Sequence, residues 1–338
     1  MSSHPDGLPA SEVLYSESPI DLAVPYDATT AKGKTILITG GASGLGAGMF
    51  RKFASLGACV IIGDLNTARG EALAASLRTS TGNPHLYFLP VDVTSYPSQL
   101  TFFRRALSLA PSHTLHIVIA NAGVGELGDF ATSPPLPAHL DPPEPDLSTL
   151  DINLKGAIFT TRIALHHLTT TPVVSDRCII LVGSIASFAS GPAMALYCAS
   201  KHALLGLFRS LRLYPSHNAS IRLNMVCPYF VDTPILPIAA KALLAGLELA
   251  RLEDVVESVA RLVCDEGVAG RCLMVAPRGS GGIVEVGVDE MEQVEVFSRR
   301  VVRALNLEAR TRARGWIGTF WDLLVLLLVG PVVRLFVK

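Results

Sequence analysis

The chain has 338 residues, enough for one large domain with a sizeable buried core. Its 28 Lys and Arg against 29 Asp and Glu give a net charge of −1, so no global basic excess argues for nucleic acid as a partner. Hydrophobic residues at 49%, charged residues at 17% and a mean hydropathy of +0.42 exclude a disordered chain and are high for a soluble enzyme.

Residues 1–31 are rich in Ser, Pro and Asp and lack the apolar core of a signal peptide, so they read as a polar lead-in, ordered in part at most. From Lys34 the pattern changes to short apolar runs. Thr35–Thr39, Cys59–Ile62, Leu86–Leu89, His116–Ile119, Cys178–Val182, Ile221–Val226 and Cys272–Val275 all read as buried strands separated by segments of helix length. That alternation predicts an α/β domain, a doubly wound parallel sheet covered on both faces, spanning 32–288 without repeat or linker. A proline-rich stretch at 133–145 can be neither helix interior nor central strand, and is predicted to be a surface loop. The six cysteines, scattered without a Cys-x-x-Cys pair, read as reduced core residues of an intracellular protein; no metal site is expected.

The first strand runs into Thr39-Gly-Gly-Ala-Ser-Gly-Leu-Gly46. Gly40, Gly44 and Gly46, with Ser43 and Leu45 between them, suit a turn that lets a pyrophosphate approach helix amides; a plain tight turn is the bland alternative. Asp64 ends the second strand, where a carboxylate accepts ribose hydroxyls and repels a 2′-phosphate, unless it only caps the next helix. Ser43, Leu65 and Asn66 supply no cation for that phosphate, so NAD is expected over NADP. Tyr197 and Lys201, four apart on a helix, share a face, and a cation there favours phenolate; the same spacing also occurs on ordinary amphipathic helices.

Taken together, these motifs resemble the short-chain dehydrogenase/reductase family, with its Rossmann domain, over roughly Lys34 to Arg278. Asp92-Val93 matches the family's adenine-contacting pair, Asn121-Ala-Gly123 its strand-four motif, and Asn153 its helix asparagine. Ser184 stands 13 residues before Tyr197, the family's spacing for its catalytic serine, with Ser187 as the second choice. The resemblance implies that Tyr197 exchanges the proton and Ser184 holds the substrate oxygen. It further implies that Lys201 holds the nicotinamide ribose and lowers the Tyr197 pKa, and that Asn153 supports a proton-relay water. Val231 and Thr233, in Pro228-Tyr-Phe-Val-Asp-Thr233, would contact the carboxamide. Tyr229 stands where the family usually has glycine, either narrowing the pocket or filling space against the sheet. That run resembles the branch of 15-hydroxyprostaglandin dehydrogenase and its fungal relatives in specialised metabolism.

Beyond Glu292, six arginines between Arg299 and Arg314 precede two tryptophans and an eleven-residue apolar run, Leu323–Val333, too short for a simple span. The tail at 289–338 is expected to make membrane contact at a cytosolic interface through 299–338, or else to pack on the domain or a dimer partner. The favoured function is hydride transfer between NAD and a secondary alcohol or ketone on an apolar small molecule. The alternatives are an NADPH-dependent ketone reductase and a non-catalytic dinucleotide sensor. The resemblance also implies a homo-oligomer.

Overall fold

Hydrogen bonding of the apolar runs builds one sheet of eight strands: β1 (Thr35–Thr39), β2 (Cys59–Asp64), β3 (Leu86–Pro90), β4 (Ile117–Ala120), β5 (Arg177–Val182), β6 (Ile221–Pro228), β7 (Cys272–Val275) and β8 (Ile283–Glu285). This computed structural model describes residues 16–287 apart from 17, 129, 131–138, 171–175, 192, 213–220, 237–240, 242–243 and 245. Strand order is β3-β2-β1-β4-β5-β6-β7-β8, parallel throughout except for the antiparallel β7–β8 pair. The seven anticipated strands are present. β8 is additional: three half-buried residues after two glycines carry too short a pattern to be read from sequence.

The helices are α1 (Gly44–Ser55), α2 (Thr67–Thr81), α3 (Tyr96–Leu109), the single turn α4 (Ser148–Leu150), α5 (Gly156–Thr170), α6 (Ala195–Arg212) and α7 (Leu252–Cys264). Successive strand side chains point to opposite faces, so β1 sends Ile36 and Ile38 to one layer and Leu37 to the other. The first layer packs Phe50 and Phe53 of α1 and Val255, Val259 and Leu262 of α7 on the sheet. The second packs Phe102 and Phe103 of α3, Ile163 and Leu168 of α5, and Leu204 and Phe208 of α6. Both faces are therefore dry, which is why the central strands read as unbroken apolar runs.

Chain direction reverses its order across the sheet between β1 and β4. In open parallel sheets that switch point leaves a crevice at the carboxyl ends of the strands, and it fixes where the site lies. The opposite, amino ends are closed by charge. Lys34 Nζ bonds Asp176 Oδ2 at 2.7 Å and Glu266 Oε1 at 2.8 Å, while Arg222 Nε reaches Asp176 Oδ1 at 2.7 Å. Arg222 also donates to the carbonyls of Leu262 and Val268, at 2.9 and 2.7 Å, tying the end of α7 to β6.

The described part of the lead-in is more firmly held than its composition suggests. Ile20, Leu22 and Tyr26 pack against the core, Ile20 N donates to Glu285 at 2.5 Å, and Arg261 donates to the carbonyls of Asp21 and Val24. Of the proline-rich loop, 133–138 lies outside the described residues, and 141–145 is exposed without regular structure. The tail at 289–338 also lies outside them; among the described residues no helix is long and apolar enough to cross a membrane.

Candidate active site

A cavity of about 860 Å³ opens at the carboxyl ends of the strands, beside the switch point. Gly40, Ser43, Gly44, Leu45 and Gly46 form one end of its wall. Ser43 is the N-cap position of α1 but makes no side-chain capping bond, so the first amides of a twelve-residue helix face outward with their partial positive charge. Gly40 has φ +66°, and a Cβ on Gly46 would stand 2.1 Å from the Gly40 carbonyl oxygen, so this loop closes only with glycine at both places. Asn121, after β4, donates through Nδ2 to the carbonyls of Thr39 and Gly40 at 2.9 and 3.0 Å and holds the loop in place. This bare cradle at a helix N-terminus fits a pyrophosphate.

Asp64 accepts from Ala42 N through Oδ2 and from Asn66 N through Oδ1, both at 3.0 Å. The N-cap of α2 is Asn66, whose side chain accepts from Arg69 N, so Asp64 is not that cap. Its carboxylate borders the cavity, as do Asp92 and Val93; Asp92 is oriented by the Thr94 amide and hydroxyl, at 2.9 and 2.7 Å. Val231 and Thr233 enter the wall from the segment after β6, with Thr233 against Gly44.

Ser184, Tyr197 and Lys201 meet at the other part of the cavity. Tyr197 and Lys201 lie one turn apart on α6, and the Lys201 nitrogen is 5.8 Å from the Tyr197 ring centre. Burial raises the Tyr197 phenol above its ordinary value, with the Ser184 hydroxyl bonding to it and pulling the other way. Burial likewise pushes Lys201 down to about 8, and its Nζ donates to the Val182 carbonyl at 3.0 Å. Desolvation thus sets the direction of both shifts, each toward the neutral form. The two serines also separate. Ser187 Oγ accepts from Ser184 N and completes a capping box beneath the loop, whereas Ser184 lines the cavity.

Asn153 is fully buried in a π-helical turn, Asp151–Lys155, that leads into α5. Its Oδ1 accepts from Val124 N at 2.8 Å, and its Nδ2 donates to Val124 O at 2.9 Å and to Ser200 Oγ at 3.3 Å. The side-chain amide is thus committed to the loop after β4 and does not itself reach Lys201. That loop carries a residue that sequence reasoning missed. Glu126 accepts from Leu196 N at 3.1 Å and from Tyr197 N at 2.6 Å, capping α6 with a carboxylate from 71 positions before the tyrosine. Its only local signal was its place directly after Gly123-Val-Gly125.

A glycine cradle for phosphates, an acidic residue at the end of β2, and a tyrosine, lysine and serine on one cavity define a nicotinamide-dependent oxidoreductase. The chain belongs to the short chain dehydrogenase family, whose model matches residues 34–242. It is 34% identical over 273 residues to 5′-hydroxyaverantin dehydrogenase of Dothistroma septosporum, covering 75% of this chain and 88% of that one. It is 29% identical to an NADP-dependent dehydrogenase of a Phoma species, over 78% and 80% of the two chains. Among solved structures it is similar to the 3-ketoacyl-(acyl-carrier-protein) reductase from Brucella melitensis complexed with NADH. There the TM-score is 0.60 and the identity 26%, with coverage of 72% of this chain and 97% of that one. The finer likeness to 15-hydroxyprostaglandin dehydrogenase is not shown by these relatives.

Proposed function

We propose that the enzyme oxidises a secondary alcohol on a largely apolar small molecule of specialised metabolism, with NAD as its cofactor. The convergence of Ser184, Tyr197 and Lys201 on one cavity carries this reading, because a dinucleotide sensor has no use for that register. The amides of the glycine loop would take the pyrophosphate, Asp64 the ribose hydroxyls, and Asp92 and Val93 the adenine. Val231 and Thr233 would take the carboxamide, with Asn121 holding the loop. The nicotinamide, when bound, supplies the hydride acceptor.

The protein's own part is proton transfer. Ser184 Oγ orients the substrate oxygen, and Tyr197 Oη takes its proton. Since burial favours the neutral phenol, the step needs positive charge beside it, which Lys201 supplies in its protonated form. Asn153 acts as a positioning residue, fixing Val124 and hence the loop that bears Glu126.

One observation favours NADP instead. Arg51 and Arg69 share a shallow cleft with Ser43 and Gly44 and are cations of the kind a ribose phosphate needs. Measured affinities decide between the two: NAD is expected to bind at least tenfold more tightly than NADP, and Asp64→Ala to erase most of that difference. Equal affinities in the unaltered chain would reverse the assignment. Turnover is tested with hydrophobic secondary alcohols by following cofactor reduction, and a protein inert towards the whole panel defeats the reading.

The outward faces of α5 and α6, with Ile158 exposed and Ala199, Ala203 and Gly206 lying open, suit pairing with a second copy. The arginines and apolar run of 299–338 suit contact with a membrane surface. A monomer found in the high-speed supernatant at low salt would remove both proposals.

A further inference from the structure

Tyr229 lines the cavity and takes no part in the proton transfer or the dinucleotide cradle. Tyr229 follows Pro228, the last residue of β6, and its backbone N–H donates to the Val275 carbonyl at 2.8 Å, fixing the main chain. Its half-buried side chain packs against the cluster of Ile185 and Ala189, as Met274 does, and its ring meets Phe230 edge-on, with centroids 4.9 Å apart at 81°. Ile185 directly follows Ser184, and Tyr229 lines the same cavity as Ser184 and Tyr197. β1, β4 and β5 separate its strand from that of Asp64, a distance of roughly 19 Å at the usual strand spacing.

The Tyr229 hydroxyl has no hydrogen-bond partner among the described residues, and burial pushes the phenol above its ordinary range. A phenylalanine would fill the same space against Ile185 and Ala189, so space-filling explains the ring and not the oxygen. A polar group kept at an apolar cavity wall without a protein partner is a group whose partner arrives with the ligand. The aromatic pair and the aliphatic wall around it suit a flat, apolar frame.

We infer that Tyr229 is a specificity-determining residue, its hydroxyl bonding a second oxygen function on an aryl or fused-ring alcohol, remote from the carbinol carbon held by Ser184 and Tyr197. This rests on the alcohol-dehydrogenase reading above. The substrate class is then narrower than any greasy alcohol: a ring-bearing secondary alcohol with a hydroxyl or carbonyl elsewhere on the ring system.

The experiment uses the full chain with saturating NAD and compares α-tetralol with its series of ring-hydroxylated analogues, in the unaltered protein and in Tyr229→Phe. The expected result is that kcat/KM for at least one hydroxylated isomer exceeds that for α-tetralol about tenfold or more, and that Tyr229→Phe brings this ratio close to one. A ratio unchanged in Tyr229→Phe overturns the proposal, as does a change confined to the KM for NAD, which would move the partner from substrate to nicotinamide. Failure of the unaltered chain to turn over any member of the series overturns the substrate class. Turnover of these alcohols that survives intact in Tyr197→Phe would instead strike the underlying reading.

Discussion

The two ends of the sheet treat buried charge in opposite ways. At the amino ends, Asp176, Lys34 and Arg222 are buried and satisfy one another: burial alone would raise the Asp176 carboxyl, but the bonds from Arg222 and Lys34 outweigh it and hold the pKa below the usual range. At the carboxyl ends, Lys201 is buried and Tyr197 half-buried, yet Lys201 has a single carbonyl acceptor among the described residues, and desolvation moves both groups toward their neutral forms. One end is closed electrostatically and serves stability. The other is left incomplete, and a ligand completes it.

If that contrast holds, substitutions at the two ends fall into different assays. Tyr197→Phe should lower turnover by about 10²- to 10⁴-fold, the usual worth of a positioned acid–base group, while the melting temperature stays close to that of the unaltered protein. Comparable losses in both measurements would break the contrast. Asp176→Asn should do the reverse, destabilising the fold by about 3–5 kcal/mol because two cations lose their buried partner, with kcat kept well below the melting point. Since its folded pKa is depressed, the Asp176 contribution is present above the unfolded carboxylate pKa and fades as pH falls through the lowered folded value.

Lys201→Met joins the two assays, because it should abolish turnover and yet stabilise the cofactor-free protein. Lys201 titrates at about 8 in the fold against an ordinary 10.5, so the unfolded chain binds more protons between those values and stability rises with pH across that window. Below about pH 8 the burial cost applies in full, on the order of 3 kcal/mol, and the methionine removes it. Thermal melts at pH 7 and pH 10 check this: the gain from Lys201→Met should shrink at the higher pH.

The smallest effect is expected at Glu126. Glu126→Ala should cost about 1 kcal/mol as a lost cap, and lower kcat severalfold with little change in the KM for NAD, since it shifts Tyr197 and leaves the phosphate cradle alone. Glu126→Gln, which keeps one acceptor, should recover part of the kcat. A fall in stability with kcat untouched would make Glu126 a cap and nothing more.

Much of the site was legible because its residues sit in short local patterns. The glycine loop, Asp64 and the Tyr197–Lys201 pair each lie at the end of a strand or along one helix, where spacing alone sets relative position. Glu126 was invisible for the opposite reason: its partners lie 70 and 71 residues away, and a carboxylate after a glycine has no periodicity to betray it. β8 escaped because three residues are too few for an alternation to register.

By itself, then, the sequence determined the parallel sheet, its two dry faces, and those cavity groups that lie in short local motifs, since burial periodicity and motif spacing are properties of neighbouring residues. Tertiary structure decided which serine faces the cavity, what Asn153 holds, and how the charges at each end are partnered. It also decided that desolvation governs Tyr197 and Lys201. Hydrogen bonds between distant segments and the loss of water around a side chain exist only once the layers have closed.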